Sequence, residues 1–342
     1  MTNLALKKAI ELAVPDADIH AVCMAIDKLM EEELKKVFSN KKSKKLERGI
    51  AFPCCISVNN IAGHFSPLAD ESQKLVAGDI AKIDLGCHID GYAAQAAHTI
   101  VVGGEKTNGR KADVVLAAYH AQQAALRAIK EQAKNSEVTQ AINGVSEEFQ
   151  CSPVEGVLSH KLKKHLIDAN DCIIGKAHGE HQVEEFEFAP GDVIALDILV
   201  SSGEGKPKES EVRTTVYKRE IDMWYQLKSQ KARVFFNEVN TRYPTLPFSI
   251  AGFQDQVGAK LGVKECLSHD LLIHYPVLNE KAGDFIAQFK STVVVLPKST
   301  QVIAGNLEFN AANFESEHSV KNEDLKKLLA ADLWKKEEKK KK

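Results

Sequence analysis

The chain has 342 residues, 44% of them apolar, with 45 basic against 47 acidic side chains and a formal net charge of -2. That length supports one large domain or two smaller ones, and the composition excludes the fibrous and disordered classes. The near-neutral balance excludes nucleic-acid binding through bulk charge, so any such contact has to come from local basic patches. The opening residues MTNLALKKAIELAVPD lack an apolar h-region and a cleavage site, and no run approaches the roughly 18 continuous apolar residues of a membrane helix. An intracellular, soluble protein with no membrane partner is expected. Seven cysteines, with no C-x-x-C pair and with Cys54 and Cys55 adjacent, fit neither a disulfide framework nor a zinc finger. They read as reduced thiols of a cytosolic or nuclear compartment.

From Asn3 to about Phe38 the pattern predicts two helices broken near Pro15, the second capped by Asp16 or Asp18 and carrying Ile19, Val22, Cys23, Ile26, Leu29 and Met30 at helical spacing. The run Lys41-Lys42-Ser43-Lys44-Lys45 reads as a basic loop. Short strands follow at 55–58, 80–85 and 99–102, then an Ala- and Leu-rich helix over about 111–131. That order recurs in the second half. Residues 77–84 (AGDIAKID) align without gaps to residues 190–197 (PGDVIALD), each a turn feeding a strand that ends on an aspartate. One Gly-Asp match is ordinary turn chemistry. Aspartates at corresponding strand ends of two α+β halves are, however, what a duplicated unit converging on one central site produces.

Ordered along nearly the whole chain are Gly49-Ile50-Ala51-Phe52-Pro53, Ser57-Val58-Asn59-Asn60, His64-Phe65-Ser66-Pro67, and Lys82-Ile83-Asp84-Leu85-Gly86 with His88, Gly91 and Ala97-His98-Thr99. Further on come Pro153-Val154-Glu155-Gly156 with Leu158-Ser159-His160, the run 199–205, and Ala287-Gln288-Phe289-Lys290. In these blocks the chain resembles the type 2 methionine aminopeptidases, especially their proliferation-associated, ribosome-associated eukaryotic homologues; an ordered string is far more specific than a lone motif. The resemblance implies an α+β pita-bread fold, with duplicated α/β halves around a central site. One domain is expected over 1–320, including a type 2 helical insert at about 229–280, followed by a C-terminal helix and Lys-rich tail over 321–342.

The peptidases of this family hold two metal ions with an Asp, a second Asp eleven residues on, a His, a Glu, and a late Glu in a Gln-Phe-Glu triplet. Two neighbouring divalent ions repel, and bridging carboxylates supply the compensating charge and the geometry for activating a water. The resemblance puts Asp84, Gln95, His160, Asp197 and Lys290 at these positions. Four carboxylates become two plus one ammonium, and a cation held where two cations should bind excludes them electrostatically. A vestigial site without metal, cofactor or catalytic residue is expected, in which Lys290 pairs with Asp84 and Asp197. One leftover metal on Asp84, His160 and Asp197 is the competing reading. His64 matches the family histidine beside the scissile bond and, without metal, reads as a structural hydrogen-bond partner. His178 and His181 read as part of an exposed polar loop in preference to an H-x-x-H metal pair.

Two basic concentrations stand just before the first block and at the entry to the insert: Lys35, Lys36, Lys41, Lys42, Lys44, Lys45 and Arg48, then Lys206, Lys208, Arg213, Lys218, Arg219, Lys228, Lys231 and Arg233. Such runs are ordinarily solvated faces. If they share one face, it suits phosphate backbones, with Lys41, Lys42, Lys44, Lys45, Arg48, Lys206, Lys208, Lys228, Lys231 and Arg233 as RNA-binding candidates. Phe235, Phe236 and Tyr243 read as core more readily than as stacking residues. Leu325, Leu328 and Leu329 fit an L-x-x-L-L partner-groove motif, and the same spacing serves a helix packed on its own domain. The terminal lysines read either as a nuclear-import signal or as a further RNA contact. The resemblance therefore implies a monomeric, catalytically inactive protein that binds the ribosome or structured RNA, in ribosome biogenesis, translation or growth regulation. The alternatives are a residual metalloaminopeptidase and a transcriptional or signalling adaptor acting through the leucines. The expected location is cytoplasmic, with nuclear or nucleolar residence as the alternative; the N-terminus is shorter than in family members that carry a localisation signal there.

Overall fold

The computed structural model describes residues 1–38, 46–104, 106–176 and 183–335. The basic run at 41–45, His178, His181 and the lysines from 336 onward lie outside these residues. Helices α1 (Thr2–Leu12) and α2 (Ile19–Lys36) are separated at Pro15. Asp18, not Asp16, caps α2 by accepting from the Ala21 N–H at 2.8 Å, while Asp16 takes φ +65° in the connection. Ile19, Val22, Cys23, Ile26 and Met30 form the buried stripe of α2, and Leu29 lies partly buried beside them.

The central sheet is built from β1 (Arg48–Val58), β2 (Ile80–Ile89), β3 (Tyr92–Val101), β4 (Ser152–Pro153), β5 (Leu158–Leu162), β6 (Cys172–Ile174), β7 (Val193–Ser201), β8 (Ile286–Leu296) and β9 (Ser299–Ala304). Its order is β1-β2-β3-β8-β7-β5-β6, with β9 on β8 and β4 on β7. Several strands outrun the sequence expectation. The run 55–58 is only the end of β1, because Pro53 interrupts the pattern; β1 pairs only with β2 in this sheet, and its register shifts between Ile50 and Cys55. There the freed Cys54 N–H donates to Asp27 at 2.8 Å.

The duplication shows in hydrogen bonds as well as in sequence. Gly78 and Gly191 take φ +86° and +99°, and the following aspartates cap the turn by accepting from Val76 and Ala189 N–H, both at 2.9 Å. Gly78 and Gly191 then donate to Val102 and Val295, whose own N–H groups return to Asp79 and Asp192. Asp84 and Asp197 sit in the middle of β2 and β7, not at strand ends as expected, because both strands continue as buried runs. Strand alternation sends Ile83 and Leu85 toward α1 and α2, and Leu196 and Ile198 toward α3 (Gly109–Ala128) and α4 (Asn135–Glu148). Both aspartates therefore project from the other face.

That face is covered by the insert. It is less purely helical than expected: α5 (Gln230–Arg242) and α6 (Gln256–Leu267) pack on a three-stranded sheet in which Val216–Arg219 pairs with both Phe248–Ser249 and Leu272–Tyr275. Phe235, Val239, Phe248, Phe253 and Val263 form its core, with Tyr243 stacked on Phe248 at 5.1 Å. Helix α7 (Glu323–Ala330) lies on α3 and α4, its leucines packed into the domain core. No described helix is long and apolar enough to cross a membrane, and all seven cysteines are buried and free.

Candidate functional site

Register brings Asp84, Asp197 and Lys290 together. In the antiparallel pair β8·β7, Lys290 stands opposite Asp197, and it also stands opposite Ala97 of β3, itself opposite Asp84 of β2. The Lys290 ammonium thus reaches Asp84 Oδ2 at 2.5 Å and Asp197 Oδ2 at 2.8 Å. Gln288, two residues earlier on the same face, donates its Nε2 to Asp197 Oδ1 at 2.8 Å and Asp84 Oδ2 at 3.3 Å. Phe52 of β1 lies under the ammonium, 5.5 Å from ring centre to Nζ. Gln288 and Phe52 were invisible as site residues in the sequence; the period of two linking Gln288 to Lys290 was the available signal.

The cluster carries two carboxylates against one cation in a place where water hardly reaches, with Asp84 and Lys290 7% and 6% exposed. Burial pushes the Asp84 carboxyl up to about 6, and the Asp197 charge adds to it while Lys290 opposes it. Asp84 Oδ1 is buried without a hydrogen-bond partner among the described residues, which fits a carboxyl held in a net-negative pocket. Burial works against the Lys290 ammonium as well, but the Asp197 and Asp84 charges outweigh it and hold its pKa above the usual lysine value.

Gln95 is buried beside the cluster, its backbone locked to Thr292 by a pair of bonds at 2.8 and 2.7 Å. His160 Nδ1 lies 2.9 Å from the Ala169 carbonyl and His64 Nδ1 2.9 Å from that of Pro276. A carbonyl only accepts, so each Nδ1 carries a proton and donates it, which fixes the ring orientation. His64 holds φ +65°, and burial lowers its pKa, with the Lys290 charge adding to the effect and the Pro276 carbonyl opposing it. Both histidines border a cavity of about 310 Å³ shared with Phe52, Tyr275, Leu278 and Lys290. The donor set does not fit a metal pair. Both aspartates spend an oxygen on an ammonium, Gln95 brings no charge, and no group of three His, Cys, Asp or Glu side chains among the described residues is arranged to hold an ion.

The RNA-binding candidates fall into unlike settings. Arg48 Nε, Nη1 and Nη2 donate to the Val37, Leu46 and Phe38 carbonyls, which ties the arginine to its own loop. Lys206 and Lys208 sit among acids: Lys206 lies 4.0 Å from Glu155 and its N–H donates to Glu280, and Lys208 neighbours Glu209. Lys218 pairs with Asp168. On the insert, Lys228 and Lys231 are exposed, with no ion-pair or hydrogen-bond partner for either ammonium among the described residues. Arg233 Nη1 donates to the Leu227 and Lys228 carbonyls. Trp224 is 84% exposed on the approach to α5, in the run Asp222-Met223-Trp224-Tyr225-Gln226. Leu325, Leu328 and Leu329 face inward, and a methyl group on Gly144 of α4 would lie 3.2 Å from Leu325 Cδ1. The three leucines are half-buried against the chain's own core.

Residues 5–215 match the metallopeptidase family M24. The chain is 41% identical over 336 residues to proliferation-associated protein A of Dictyostelium discoideum, covering 97% of this chain and 86% of that one. It is 43% identical over 307 residues to ERBB-3 binding protein 1 of Arabidopsis thaliana, covering 90% and 78%. A solved structure of a thermophilic Arx1 superposes with a TM-score of 0.90 at 27% identity, over 97% of this chain and 95% of that one. The architecture is the pita-bread fold.

Proposed function

The chain belongs to the M24 metallopeptidase family, and from that premise we propose that it is a non-catalytic member that acts by binding structured RNA or the ribosome in the cytoplasm. The observation that carries the first half is the Lys290 ammonium bonded to both Asp84 and Asp197. In this family the reaction needs a metal-activated water. A protonated amine on the carboxylates repels the ion and consumes its ligands, so replacing Glu with Lys is no adjustment of metal preference. The histidines keep the orientation of ligand histidines, with Nδ1 bonded to carbonyls, and serve the packing of the cavity wall.

The binding half is supported by the exposed Lys228 and Lys231, unpaired among the described residues, and the exposed Trp224, all at or just before α5, together with the basic run at 41–45 in the sequence. Cations of this kind neutralise phosphates, and an indole is a stacking platform for an unpaired base. Nothing in the geometry favours the adaptor reading, since the leucines pack inward.

The test has two arms. Elemental analysis of the purified protein should find well under one equivalent of zinc, cobalt or manganese, and a Met-Ala-Ser peptide should stay intact; two tight metals or released methionine refutes the non-catalytic assignment. Co-sedimentation with ribosomes across a salt series should show binding at low salt. Lys228→Gln and Lys231→Gln should each reduce the log–log salt slope by about one. Wild-type protein left in the supernatant at low salt refutes the binding assignment.

A further inference from the structure

A second cavity lies on the opposite face of the central sheet. Because side chains alternate along a strand, Lys290 faces the carboxylate cluster while its neighbours Phe289 and Ser291 face α3. With His98 of β3 and Tyr119 and Gln122 of α3, they line a space of about 630 Å³, within the size range of small-ligand sites. The segment after α7 roofs it: Arg127 Nε donates to the Ala331 carbonyl at 2.7 Å, and Thr300 N–H to that of Trp334 at 2.9 Å.

The buried end is polar and uncharged, while Leu126, Val302, Leu307, Leu333 and the Arg127 side chain line the rest. His98, Gln122 and Ser291 are 7%, 3% and 1% exposed. Gln122 Nε2 donates to Ser291 Oγ at 2.8 Å, whereas the His98 ring has no hydrogen-bond partner among the described residues. Burial pushes His98 down to about 4, so the ring is neutral, with one nitrogen donating and the other accepting. Two aromatic rings border it: Phe289 meets His98 edge-on at 5.1 Å, and Tyr119 stacks by one face on Phe309, behind the wall, at 4.3 Å. The Arg127 guanidinium is committed to Gln123 and Ala331, and Asp332 and Lys335 are exposed at the rim. An anion or cation at the buried end would lose its hydration without gaining a counter-charge.

We propose that this cavity binds an uncharged planar heteroaromatic molecule of nucleoside size, hydrogen-bonded to His98 and Gln122 and packed against the Tyr119 and Phe289 rings. A heterocycle with both donor and acceptor edges satisfies the unpartnered imidazole, which a hydrocarbon does not. The site stands apart from the vestigial centre, and its occupancy does not rest on the RNA reading.

The experiment is titration of the full chain with adenosine, guanosine, cytidine and uridine separately, by saturation-transfer NMR and calorimetry. At least one should bind below millimolar Kd, about tenfold or more weakened by His98→Leu and by Gln122→Leu. Asn240→Ala, exposed on α5 and outside the cavity lining, should leave affinity unchanged, and His98→Gln, which keeps a donor and an acceptor, should recover part of it. Absence of binding by all four nucleosides in the low-millimolar range overturns the proposal. So does affinity indifferent to both pocket substitutions, or lost equally in Asn240→Ala.

Discussion

Replacing Lys290 with methionine leaves two buried carboxylates facing each other without their cation. The Lys290, Asp84 and Asp197 side chains are 8%, 10% and 12% exposed, so solvent and salt screen little of the interaction. Breaking a buried pair by removing one partner costs about 3–5 kcal/mol. With an unfolding entropy near 2.1 cal/mol/K per residue over 342 residues, that lowers Tm by about 4–7 °C. The loss depends on pH, with a definite sign. The Asp84 carboxyl already sits at about 6 with Lys290 present, and it rises further without it. A carboxyl raised in the folded state contributes stability that is fully present below its unfolded value and is lost as pH rises through the folded one. Lys290→Met should therefore trail wild type most at pH 8 and much less at pH 5, where protonation relieves the repulsion. Scanning calorimetry at both pH values measures this. An equal Tm at pH 8, or a deficit that does not change with pH, would show that the ammonium does not hold the two carboxylates together.

Restoring the family's ligands in Gln95→Asp/Lys290→Glu should produce a Tm that rises with added manganese, by about 2.7 kcal/mol of stabilisation at a hundredfold excess over Kd; thermal scans with and without the ion, against an unresponsive wild type, check it. Asp27 is buried, accepts from the Cys54 N–H, and burial pushes its carboxyl up to about 7, so its contribution to stability falls as pH rises from about 4 to 7. In Asp27→Asn that part of the decline, at most about 4 kcal/mol, should vanish from denaturant midpoints measured across the range. Leu325→Ala should cost about 1–2 kcal/mol for a half-buried leucine and speed amide exchange in α7, with ribosome co-sedimentation unchanged. Loss of co-sedimentation instead would mean that the leucines carry the binding.

Local chemistry was legible in the sequence where it depends on near neighbours. The break at Pro15, the buried stripe of α2 and the paired Gly-Asp turns follow from backbone freedom and helical or turn spacing, which act over a few residues. The resemblance also assigns Gln95 and Lys290 to positions where a two-metal site needs carboxylates, an expectation that rests on residue type alone. Only the tertiary structure decided which charges meet. Asp84 and Lys290 are 206 residues apart, and their 2.5 Å contact is set by the register of β2, β3 and β8. The basic run from Lys206 to Arg233 reads as one patch along the chain, yet Lys206, Lys218 and Arg233 spend their charges or donors on Glu155, Asp168 and backbone carbonyls, and Lys228 and Lys231 do not. Three leucines at helical spacing state that α7 has an apolar face, and the packing of Leu325 against Gly144 states what covers it. Pairing, burial and exposure are properties of surfaces brought together from distant parts of the chain, and residue order alone does not contain them.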